Sequence, residues 1–125
     1  MSEYEYLSTV LVRVCNVGDV EHGEVKRFCI GDFDLAVFNV AGAFYVTDDT
    51  CTHGPASLSE GCIDGDVVEC PFHYGTFHIP TGHPVTLPCT VPLRTYDVEV
   101  VDGELFINVD QESRMMKIEL SSKDQ

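Results

Sequence analysis

Between Phe28 and Leu93 the chain contains no lysine and no arginine. The same stretch carries Asp32, Asp34, Asp48, Asp49, Glu60, Asp64, Asp66 and Glu69, so its only formal charge is negative. Bases are scarce throughout: seven Lys and Arg stand against 21 Asp and Glu, a formal charge of −14. That balance excludes nucleic acid and anionic membrane as partners, since both repel an acidic surface. Nowhere is there an apolar run long enough to span a bilayer. The opening Met1–Thr9 (MSEYEYLST) has no basic n-region and no apolar h-region, so it does not read as a secretory leader, and a cytoplasmic protein is expected. Repeats, low-complexity tracts and interior linkers are also missing. What is left is a chain of 125 residues read as one soluble domain, long enough to bury its own core.

The acidic stretch admits two readings. It is a solvated face that keeps the protein soluble, or it is a surface that steers the molecule toward basic patches on protein partners. The six cysteines, in a chain expected to stay in a reducing compartment, are not read as three disulfides. Cys15, Cys29 and Cys62 lie in or beside apolar runs, and buried inert thiols are the expectation for each.

Helical periodicity never extends beyond a turn or two, whereas strand signals recur along the chain. They fall at Thr9–Cys15, Val25–Ile30, Leu35–Val40, Ala43–Thr47, Val67–Glu69, Thr76–Ile79, Tyr96–Val101 and Glu104–Val109, each rich in Val, Ile, Phe or Tyr. Ala41-Gly42 and Asp102-Gly103 read as tight hairpin turns, and Asp64-Gly65 and Thr81-Gly82 mark two more. The class is therefore all-β, an antiparallel sandwich or barrel. Glu112–Gln125 reads as a polar tail in which Met116, Ile118 and Leu120 alternate, as an added edge strand or a frayed end would.

Two short segments stand out against this background: Cys51-Thr52-His53 and Cys70-Pro71-Phe72-His73. Each offers one sulfur and one imidazole nitrogen, and each follows a strand, where a loop on a rigid scaffold can hold a preorganised site. Four ligands divided in this way suit a centre with two unlike metal positions, one iron taking both sulfurs and the other both nitrogens. Glycines close by, Gly54 and Gly75, let the backbone approach a bulky inorganic core. Zinc competes for a Cys₂His₂ set, but its usual pattern pairs Cys with Cys and His with His. A nucleophilic Cys–His pair lacks an orienting partner and leaves the duplication of the pair unexplained. For His22, His78 and His83 a structural or solvated role is expected.

The full pattern CTHG…CPFHYGTF, together with the lead-in Gly65–Glu69, resembles the Rieske family over about Val10–Val109. It is most similar to the small ferredoxins that serve bacterial aromatic-ring-hydroxylating dioxygenases. The resemblance implies a Rieske-like β fold across residues 1–111, with cluster-binding loops at about 48–92 set into a β base and residues 112–125 as a tail. It implies one [2Fe–2S] cluster, with Cys51 and Cys70 on one iron and His53 and His73 on the other. It also makes Pro84–Pro92 (PVTLPCTVP) the proline-containing loop that covers the cluster, with Leu87 or Cys89 shielding it. A plain stiff connector is the alternative, and Cys89 is not expected to be a fifth ligand.

Members of the family in respiratory complexes carry an extra Cys in each loop and a Ser and a Tyr beyond the second His. At the matching positions this chain has Ala56, Phe72, Gly75 and Phe77. Fewer donors to the cluster sulfurs imply a potential near the low end of the Rieske range, about −150 mV. The family also implies solvent-exposed imidazoles and hence a potential that falls at alkaline pH. The function so implied is electron carriage, without catalysis, from a flavin-dependent reductase to a terminal oxygenase, docking by an acidic face. The small Rieske-like subunit of an assimilatory nitrite reductase is the alternative.

Overall fold

Two turns set the larger sheet. At Ala41-Gly42 both residues have positive φ (53° and 90°), as do Asp102 and Gly103 (52° and 79°). That is the requirement of a type I′ hairpin, whose twist matches that of its flanking strands. A computed structural model describes residues 9–52, 56–71, 74–87 and 89–110. Ten strands occur among them: β1 (Thr9–Asn16), β2 (Val25–Ile30), β3 (Phe33–Val40), β4 (Ala43–Asp48), β5 (Cys62–Asp64), β6 (Val67–Glu69), β7 (Thr76–His78), β8 (Pro84–Thr86), β9 (Thr95–Val101) and β10 (Glu104–Asp110). Six make one sheet in the order β1-β10-β9-β4-β3-β2, and β5-β6-β7-β8 make a second. Every pairing is antiparallel. The fold is the expected all-β one.

β3 explains how the two sheets meet. Its run FDLAVFNV is buried nearly throughout, which a strand covered on both faces requires. Phe33, Leu35 and Val37 point into a core with Val14, Val46, Leu105 and Ile107. The alternate residues Ala36 and Phe38 enter a second core with Leu58, Val68, Phe77, Ile79, Cys51, Cys70 and Cys89. The site thus rests on the reverse face of the strand that organises the base.

β4 and β9 pair only at Val46↔Tyr96 and Thr47↔Thr95. Beyond those pairs the strands diverge, and Ile79 and Pro80, just after β7, line the cleft between them. Gly82 ties this seam. Its φ is +77°, and a Cβ there would meet the Leu93 carbonyl oxygen at 2.6 Å. Only glycine allows the close approach in which its own carbonyl accepts the Leu93 amide at 2.8 Å.

Several expectations need correction. Cys29 and Cys62 are exposed. β2 is an edge strand of its sheet, and Cys29 lies on the outward face with Arg27, its Sγ 3.6 Å from Asp34 Oδ1. Cys62 lies on β5, an edge of the small sheet, with Asp64 on the same face. Apolar neighbours in sequence do not bury a residue when the strand alternates. Cys15 is buried as expected, because a bulge between Arg13 and Cys15 turns both Val14 and Cys15 inward. The first three residues of the presumed cover loop form β8, and Pro84 is tolerated there because β8 is an edge. Residues 112–125, with the suggested extra strand, lie outside the described residues. No described helix is long and apolar enough to cross a membrane.

Candidate metal centre

The two ligand loops are built alike. In the first, the Cys51 amide donates to the Ala56 carbonyl at 2.8 Å, and Thr50 and Ser57 form a bridge outside it. In the second, the Cys70 amide donates to the Gly75 carbonyl at 2.8 Å, and Glu69 pairs with Thr76 outside it. Each loop is thus a short excursion pinched at its base, with Cys at the entry of the clamp. Cys51 is 3% exposed and Cys70 is fully buried. His53 and His73 lie outside the described residues, each falling in sequence between the two ends of its clamp.

The first clamp is anchored by Asp49, which is wholly buried. Its backbone carbonyl accepts the Leu58 amide at 2.8 Å and its Oδ1 accepts the Ser59 amide at 2.9 Å. This carboxylate fixes the 3-10 turn Leu58–Glu60 just after the loop. The second clamp is held by the β6–β7 ladder. At the far end of β7, His78 engages Thr81 at 2.8 Å and Asp66 at 3.1 Å through its two ring nitrogens. That is the structural role expected of it, while His22 and His83 are exposed.

A third segment closes over the pair. Thr52, between the first Cys and His, donates its hydroxyl to the Val91 carbonyl at 2.6 Å. Of the two shielding candidates, Leu87 is 75% exposed and Cys89 is buried. The Cys89 side chain packs in the second core with Cys51 and Cys70. Burial first, then Cys51 and Cys70, push its pKa up to about 12, so it stays protonated.

Three thiols therefore gather at one apolar spot, walled by Ala56, Phe77 and Leu58. Ala56 and Phe77 occupy positions where respiratory relatives are expected to offer Cys and Tyr, and both present only hydrocarbon. Among the described residues no three His, Cys, Asp or Glu side chains make a metal-binding group by themselves. The chemistry fits a centre that draws two sulfurs from the described clamps and needs further ligands between their ends. Sequence reasoning missed Asp49, because a buried carboxylate in Asp48-Asp49 looks like any exposed acid. It left Cys89 undecided, and the proline on one flank was the only hint of a constrained turn.

Tyr74 follows His73 with φ +62° and is 69% exposed. With Leu87, Val85 and Val91, all exposed, it belongs to an apolar set on segments beside the thiols. Of the acids between Phe28 and Leu93, Asp32, Glu60, Asp64 and Asp66 are exposed. Asp34 instead binds Arg27 in bidentate fashion, Asp48 accepts the Tyr96 hydroxyl at 2.6 Å, and Asp49 is buried.

Comparison with known proteins agrees with this geometry. The ferredoxin CarAc of Metapseudomonas resinovorans is 49% identical over 102 residues, covering 81% of this chain and 95% of that one. The ferredoxin of Sphingomonas yanoikuyae B1 superposes with a TM-score of 0.77 at 42% identity, covering 80% and 99% of the two chains. A solved complex of reduced oxygenase and oxidized ferredoxin in carbazole 1,9a-dioxygenase contains a chain 50% identical to this one. Its TM-score is 0.73, with 78% and 92% covered. Likeness to a nitrite reductase small subunit, at 22% identity and TM-score 0.68, shows the fold alone. The Rieske [2Fe-2S] domain matches residues 10–97. With the paired clamps and their buried thiols, that match means the chain belongs to the Rieske [2Fe-2S] domain family.

Proposed function

We propose that this protein is a ferredoxin that holds one [2Fe–2S] cluster through Cys51 and Cys70 on one iron and His53 and His73 on the other. It takes single electrons from a flavin-dependent reductase and delivers them to a terminal oxygenase that hydroxylates an aromatic ring. The observation that carries this reading is the repeated clamp, Cys51–Ala56 and Cys70–Gly75, with both thiols buried at one place. When bound, such a cluster accepts and releases one electron. The chain's own part is to deliver two sulfurs into an apolar recess and to exclude water from them with Phe77, Ala56 and Cys89. Relatives that are ferredoxin components of dioxygenase systems support an oxygenase as the electron acceptor.

Tyr74, Leu87 and Val91 form the contact rim, and the exposed acids elsewhere on the surface give the field that steers a basic partner toward the molecule. A cytoplasmic setting belongs to this reading, and the free cysteines support it. The experiment is iron and acid-labile sulfide analysis of protein purified without air, with redox titration. Two irons and two sulfides per chain and a reddish-brown colour are expected, with a potential near about −150 mV. Protein that carries zinc, or a potential above zero, overturns the reading.

A further inference from the structure

We propose that, in the cluster-loaded protein, Cys89 donates an S–H···S hydrogen bond to the Cys51 sulfur and thereby raises the reduction potential. The inference rests on the ligand assignment made under the proposed function. Its starting point is a buried thiol that the ligand set does not use. Cys89 is 4% exposed and shares the second core with Cys51 and Cys70.

Its position is built rather than incidental. The Cys89 amide donates to the Thr86 carbonyl at 3.2 Å, closing a turn at the end of β8. Two residues further on, the Val91 carbonyl accepts the Thr52 hydroxyl, so the segment is tied to the residue next to Cys51. These two bonds fix both sides of Cys89 against the first clamp.

Ligation settles the direction of the hydrogen bond. A sulfur bound to iron has given up its proton, so Cys51 becomes an acceptor only. Cys89, buried and outside the four ligands, keeps the one S–H of the pair. An added electron places negative charge partly on the ligand sulfurs, and a donor aimed at one of them favours the reduced state. Phe77, fully buried, offers a bare ring where a tyrosine hydroxyl would otherwise donate. Cys89 therefore stands in for a missing donor, with a weaker group. The potential stays near the low end of the family's range but above what an entirely donor-free pocket would give.

The test compares wild type, Cys89→Ala and Cys89→Ser as cluster-loaded proteins by redox titration. Cys89→Ala is expected to shift the reduction equilibrium about tenfold toward the oxidised form, or about 59 mV for one electron. Cys89→Ser keeps a donor and is expected to hold the potential at or above wild type. In wild type, exchange into D₂O is expected to shift the iron–sulfur stretches in resonance Raman spectra, and Cys89→Ala should lose that shift. A packing role alone would move Ala and Ser together and give no isotope difference. Potentials within twofold in equilibrium for all three, with no isotope shift, overturn the inference. Should Cys89→Ala fail to load, the Ser variant and the wild-type isotope shift decide it. Wild-type protein without iron and labile sulfide would instead overturn the ligand assignment itself.

Discussion

Arg27 Nε lies 3.6 Å from Asp49 Oδ2. That is too long for a hydrogen bond but close enough for attraction, and Oδ2 has no hydrogen-bond partner among the described residues. A carboxylate buried two positions before Cys51 is thus balanced by one half-exposed guanidinium, which also grips Asp34 in bidentate fashion. Asp34 and Asp49 together hold the Arg27 pKa above its ordinary value, the Asp34 hydrogen bonds being the larger cause.

Asp49→Ala removes the acceptor of the Ser59 amide and slackens the first clamp. The expected loss is about 2–3 kcal/mol in urea unfolding of the loaded protein, with faster iron release to a chelator. Arg27→Met leaves Asp49 buried without its counter-charge, and a smaller loss than that of Asp49→Ala is expected because Arg27 is half exposed. Unchanged iron release in Asp49→Ala would separate this carboxylate from the cluster site.

Gly82 is the second weak point, because it joins the small sheet to the start of β9. Its positive φ and the 2.6 Å approach to the Leu93 carbonyl leave no room for a methyl group. Gly82→Ala is expected to cost about 2–4 kcal/mol. Thermal unfolding followed by circular dichroism measures it, and a loss under about 0.5 kcal/mol would contradict the seam described above.

Alkaline pH should loosen the base sheet. Burial, reinforced by Asp19, raises the Cys15 thiol from 9.0 to about 11, and burial with the hydrogen bond to Asp48 raises the Tyr96 hydroxyl. Both groups are neutral in the folded protein at a pH where the unfolded chain has begun to ionise. Their contribution is therefore complete below about pH 9 and disappears as pH rises through the folded values. Cys15 accounts for roughly 2–3 kcal/mol of this. Urea midpoints from pH 8 to 11 should fall, and Cys15→Ala should flatten the part between 9 and 11.

The proposed docking combines two forces with different signatures. Steering by Asp32, Glu60, Asp64 and Asp66 should make the second-order rate of electron delivery to the oxygenase fall with ionic strength. About tenfold is expected between 0.05 and 0.5 M salt. Leu87→Ser removes apolar contact area from the rim and should slow delivery by about the same factor at every salt concentration. Stopped-flow measurement distinguishes them, and a Leu87→Ser effect that vanishes at high salt would remove Leu87 from the rim.

Much of this molecule was legible in its residues. Val25–Ile30 and Val67–Glu69 fall where their apolar and β-branched content places them, and both hairpin turns lie at the dipeptides that demand positive φ. Two of the three-residue strands were less visible. Cys62–Asp64 and Pro84–Thr86 have too few side chains to alternate, and form because the β6–β7 hairpin offers each an edge. The bulge at Val14 was equally hidden, since nothing in TVLVRVC marks the residue that loses its partner. The spacing of Cys and His pointed to the two clamped loops. It carried no information on Cys89 or Asp49, whose roles depend on a turn and a strand end brought near from elsewhere in the chain.

The central strand from Phe33 to Val40 divides its side chains between two interiors, odd-numbered apolar residues to one and even-numbered to the other. Deleting or inserting a single residue there would exchange their allegiance, sending Phe38 toward the core of the larger sheet and Leu35 toward the buried thiols. Length variation in this protein should accordingly accumulate in its surface turns and spare this strand, whatever substitutions the strand itself accepts.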